Sequence, residues 1–98
     1  MENWLKCIVS PGQFSVEYAI QADAADGSQF SLFAPKEVVE VEREPTDTDF
    51  VDGFLKVNVA DRANDSTLVY LPREAFEIGY FVTVKSASLE SRSLEARM

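Results

Sequence analysis

Apolar and polar positions alternate over most of this chain, with the two-residue period of half-buried β-strands. The pattern is densest over residues 53–84. There Leu55, Val57 and Val59 alternate with Lys56, Asn58 and Ala60, and after a polar break residues 67–71 form a continuous apolar run. Pro72, a few turn residues, Gly79 and a further run over 80–84 follow, which predicts a compact antiparallel β unit.

Upstream, a first strand is predicted to end near Ser10, at the turn signal Pro11-Gly12. Phe14, Val16, Tyr18 and Ile20 then face one way and Ser15, Glu17, Ala19 and Gln21 the other, predicting a strand with Glu17 and Gln21 exposed. Asp26-Gly27 suits a hairpin turn, and a returning strand over 29–34 offers Phe30, Leu32 and Phe33 to the core. Pro35 lacks the ladder donor and ends it, so 35–37 is predicted as a turn or a single 3₁₀ turn. Residues 38–42 set Val39 and Val41 against Glu40 and Glu42, as an exposed or edge strand does. Residues 43–52 contain Pro45, two threonines and four acidic residues, with Phe50 and Val51 as anchors, and predict a long connection. Strands over 54–60 and 66–71 flank a turn at Asn64 and Asp65. Pro72 predicts a short helical turn that sends Ala75, Phe76 and Ile78 inward before Gly79. The run over 80–84 is apolar on both faces, which places it inside the sheet or across a barrel seam.

These elements predict an all-β fold: a small antiparallel β-barrel, SH3-like or partly open, of about six strands with a short 3₁₀ turn. The barrel is expected to occupy residues 1–89, and 90–98 to form a flexible C-terminal tail. The succession of strand, proline-led turn, glycine and strand over 71–84 resembles what SH3-like barrels place before their last strand. The resemblance covers about half the chain and implies that superfold, which hosts many unrelated functions.

Composition narrows the chemistry. Ninety-eight residues support one core. The formal charge of −8 repels phosphate backbones, and Lys and Arg are spread singly along the chain, so nucleic acid is disfavoured as a partner. Histidine is absent, which removes the commonest general base and metal ligand, so no enzyme, metal site or cofactor is expected. The lone Cys7 cannot form an internal disulfide, and no apolar stretch approaches the ~18–20 residues of a membrane span, so the expected location is cytoplasmic.

Residues 37–52 hold seven carboxylates against Arg43, a local charge of −6. Such a cluster steers a basic partner or keeps an edge strand soluble. Glu40, Glu42, Glu44, Asp47 and Asp49 are therefore the candidate contacts, with Trp4, near the terminus, as an exposed aromatic anchor. Tyr18, Tyr70 and Tyr80 are further candidates for a groove, although Tyr18 and Tyr80 are expected in the core. Cys7 is expected as a buried small hydrophobe. The stretch 47–53 places oxygen ligands on alternate residues before a glycine, as calcium loops do, but Asn58 stands where a bidentate Glu belongs, and a solvated acidic loop is the expectation. Strand addition along 38–42 would permit dimerisation, against which its charges argue. The function expected is a non-catalytic interaction module with a protein partner. Two alternatives stand beside it: an OB-like barrel stacking single-stranded nucleic acid on exposed aromatics, and a metal-responsive domain using the Asp47 to Asp52 loop.

Overall fold

The computed structural model describes residues 1–92, and strands dominate them. β1 (Glu2–Pro11), β2 (Glu17–Asp23) and β3 (Gln29–Pro35) form an antiparallel meander. A 3₁₀ turn at Lys36–Val38 leads into the short β4 (Val39–Val41). β5 (Val51–Arg62), β6 (Ser66–Ala75) and β7 (Gly79–Lys85) form a second meander, and a 3₁₀ turn at Ser86–Ser88 leads into β8 (Leu89–Arg92). Pairing of β1 with β5 joins the two meanders into the path β3-β2-β1-β5-β6-β7, with β4 beside β5 and β8 beside β1. The result is the all-β, partly open barrel that the alternation predicts, with six strands on the main path.

Alternation decides which side chains face inward. Leu5, Cys7 and Val9 of β1 meet Tyr18, Ile20 and Ala22 of β2 and Phe30, Leu32 and Ala34 of β3 in one cluster with Leu55, Val57, Val69, Leu71, Val82 and Val84. β5 serves two neighbourhoods in turn: its first half pairs with β1 and β4, and its end pairs with β6. An irregularity between Val59 and Asp61 gives β5 one residue more than its partner there, and such a bulge bends and twists a strand. Curling brings β3 against the β6–β7 turn, where contact is by isolated bonds. The Phe76 N–H donates to the Ser31 carbonyl (3.0 Å) and the Ser31 N–H to Glu77 Oε1 (2.8 Å); further along the seam the Ala25 N–H, in the connection between β2 and β3, donates to the Thr83 carbonyl of β7 (2.8 Å).

Several sequence expectations need correction. Phe14 and Val16 continue the β2 alternation on paper, but both are exposed, because the chain turns there: the Glu17 N–H donates to the Phe14 carbonyl and the Gln13 N–H to the Glu17 carboxylate. Pro72 opens no helical turn. It lies within β6, past the last residue pair with β7 before the register breaks at Tyr70, where its missing N–H costs no ladder bond. Ala75 turns inward as expected, whereas Phe76 and Ile78 are exposed. Phe33 lies on the outer side of β3, edge-on to Phe76. β8 extends three residues past the expected barrel limit at 89, and residues 93–98 of the expected tail lie outside the described residues. Among the described residues no helix is long and apolar enough to cross a membrane.

Candidate functional site

The acidic edge consists of β4 and the connection 42–50. This connection is folded on itself: Thr46 and Asp49 exchange both backbone hydrogen bonds (3.0 and 3.2 Å), and Pro45 is buried. Most of its carboxylates are already engaged. Glu40 receives both terminal nitrogens of Arg92 (2.7 and 2.9 Å), and Glu42 receives Arg43 (2.8 Å). Asp49 takes the other side of the Arg43 guanidinium (3.0 Å), and Glu44 accepts the Tyr18 hydroxyl (2.9 Å) with Lys36 at 3.5 Å. Of the five residues singled out on this edge, Asp47 alone makes no side-chain hydrogen bond or ion pair among the described residues. Exposed pairs of this kind leave the long-range field of the patch largely in place while lowering its local excess. Tyr18 is buried as expected, and desolvation, reinforced by Glu44, pushes its hydroxyl above the ordinary value.

Trp4 is not the exposed anchor. It retains 6% of its surface, because Arg92 of β8 lies over its ring at 4.9 Å and over the Phe54 ring at 5.3 Å before reaching Glu40. The same guanidinium bonds Glu90. One arginine thus covers the tryptophan and neutralises the carboxylate, two of the six candidate contacts at once. The Trp4 indole N–H has no partner among the described residues.

A different aromatic group is exposed. On β6 and β7, Tyr70 stands opposite Phe81, with ring centroids 5.0 Å apart. Tyr80, beside the register break of this hairpin, stacks on Tyr70 at 5.5 Å with 16° between the planes. Tyr70, Tyr80 and Phe81 remain 40%, 42% and 53% exposed, so the core assignment of Tyr80 fails. A signal for one member was present: in the run 80–84, Phe81 falls on the face opposite the buried Val82 and Val84. β7 does stand at the barrel seam, but nothing among the described residues covers that face as it would inside a sheet. Nearby in sequence, Phe76 and Ile78 are exposed as well.

The described residues contain no group of three or more His, Cys, Asp or Glu placed to hold a metal ion; within the 47–53 stretch Asp49 is turned to Arg43, and Asp52 lies in β5 opposite Ile8. Cys7 is buried, and desolvation first, then Asp52, pushes its thiol up to about 12, so at neutral pH it is a packed hydrophobe and not a nucleophile. No family model, curated protein or solved structure matches the chain.

Proposed function

We propose that this protein is a non-catalytic interaction module that grips a protein partner with Tyr70, Tyr80 and Phe81 and orients it through the acidic edge of Glu40, Glu42, Glu44, Asp47 and Asp49. The observation that carries the reading is the platform itself. Three large aromatics pack together on a strand hairpin, Tyr80 stacked on Tyr70 and Phe81 tilted against it, while keeping two-fifths or more of their surface in solvent. Aromatic side chains held rigidly at low entropic cost dominate protein interfaces, and tyrosine is among the commonest energetic anchors. A net charge of −8 favours a basic partner. The 3₁₀ turn before the last strand fits an SH3-like barrel, and a lone buried cysteine fits a cytoplasmic setting.

The test is quantitative affinity capture with the full chain and two variants. Serine at Tyr70, Tyr80 and Phe81 together should abolish retention of the specific partners. Glu42→Gln with Asp47→Asn and Asp49→Asn should keep the partners at low salt and lose them earlier as salt rises. Equal retention by wild type and the aromatic variant overturns the reading.

A second reading has one observation in its favour: the near-parallel rings of Tyr70 and Tyr80 suit the stacking of bases, as in barrels that bind single strands. Titration with oligonucleotides at low salt, followed by intrinsic fluorescence, should show saturation near micromolar concentration if it holds; a flat response removes it.

A further inference from the structure

On the side away from β5, β1 has strand neighbours in two separate stretches. β8 lies opposite Glu2 to Leu5, and β2 lies opposite Ile8 to Pro11. Between them, on that side, Lys6 and Cys7 face no strand among the described residues. β2 continues through Ala22 and Asp23, paired there only with β3. The barrel wall is therefore open at this point, and the opening holds a cavity of about 410 Å³ bordered by Lys6, Lys85, Gln29, Ser88, Asp23, Ile8 and Ala22. Its volume falls at the small end of the ~300–1,000 Å³ usual for ligand pockets.

The charges at this opening depart from those of the rest of the molecule. Among the described residues Lys36, Arg43, Lys56 and Arg92 are ion-paired, and Arg62 donates to Asn3. Among the described residues Lys6, Arg73 and Lys85 make no side-chain hydrogen bond or ion pair, and two of these three line the opening. In a chain with nearly twice as many carboxylates as cations, two ammonium groups that are unpaired among the described residues meet on one cavity. Asp23 is the sole carboxylate on the rim among the described residues. Lys6 also borders a smaller hollow of about 180 Å³ with Glu40, Glu42 and Asp52. Each ammonium offers three donors, and anions bound by such donors form charge-assisted hydrogen bonds.

We infer that the opening between β2 and β8 binds a small organic anion, with its carboxylate or phosphate group on Lys6 and Lys85 and its carbon skeleton against Ile8 and Ala22. The inference is independent of the aromatic platform and its partner.

The experiment is a protein-detected NMR titration of the isotopically labelled full chain with succinate and, separately, inorganic phosphate, at ionic strength held constant with sodium chloride. Succinamide serves as the uncharged control. Saturable shifts are expected at the amides of Lys6, Cys7, Gly27 and Ser88 with one of the two anions; which one responds separates a carboxylate site from a phosphate site. Lys6→Gln combined with Lys85→Gln should weaken binding at least about tenfold, and Lys6→Arg with Lys85→Arg should restore it. Shifts that do not saturate, that chloride reproduces, or that survive the double Gln variant unchanged overturn the inference.

Discussion

Gly53 shows how much one hydrogen atom in place of a side chain can decide. A Cβ built there would stand 2.5 Å from the Glu40 carbonyl oxygen and 2.8 Å from Val9 Cγ2, so β4 reaches β5 only because the position is bare. Gly53→Ala is expected to destabilise the protein by about 1–3 kcal/mol through overpacking, measured by urea denaturation. In the sequence the same glycine reads as the end of an acidic loop, since the approach of a strand that pairs with it from twelve residues upstream leaves no mark beside it. Glu77 gives a pH-dependent counterpart. Hydrogen bonds from Ser31, the backbone one foremost, hold its carboxyl below the ordinary value. A depressed acid contributes stability above its unfolded value and loses it as pH falls through the folded one. The Ser31 amide resonance should therefore follow a single titration with a midpoint below the usual glutamate value of about 4.3, and Glu77→Ala should remove it. A Ser31 midpoint at or above that value would refute the bond.

At the level of elements, β8 and the 3₁₀ turn before it act as fasteners. Arg92 spans Trp4, Phe54 and Glu40, so Arg92→Ala should uncover the chain's one tryptophan. The expected outcome is a red-shifted emission and stronger quenching by acrylamide, with a loss of about 1 kcal/mol in stability. Ser86 ties the turn down: its hydroxyl meets that of the fully buried Thr67 at 2.7 Å and the Ala63 carbonyl at 3.1 Å. Ser86→Ala should cost about 1–3 kcal/mol by stranding the Thr67 hydroxyl, and adding Thr67→Val should recover part of it. Most strands were legible from alternation because burial on one face imposes it, as at Tyr18 and Ile20 and at Leu55 and Val57. The same cue failed at Phe14 and Val16, where a turn carries apolar residues into solvent, and at Pro72, which a strand tolerates once its ladder has ended. Of the candidate contacts, the carboxylates were legible as an edge from composition alone. Their capture by Arg92, Arg43 and Lys36, and the burial of Trp4, were not, because each depends on contacts between distant parts of the chain.

For the whole molecule, a charge of −8 means that association with the basic partner proposed above should slow as salt shortens the range of the field. Stopped-flow binding with a captured partner should show on-rates dropping between low and physiological salt while dissociation changes little. β5 has a further consequence. It is the mate of β1, β4 and β6 together, so the first meander, once made, presents a bare flank until the middle of the chain arrives to cover it. During synthesis that flank is open to other nascent chains for as long as the ribosome takes to reach residue 62 and release it. Refolding should accordingly wait on this one docking event, and Val57→Ala, by weakening it, should slow refolding in stopped-flow measurements more than it hastens unfolding.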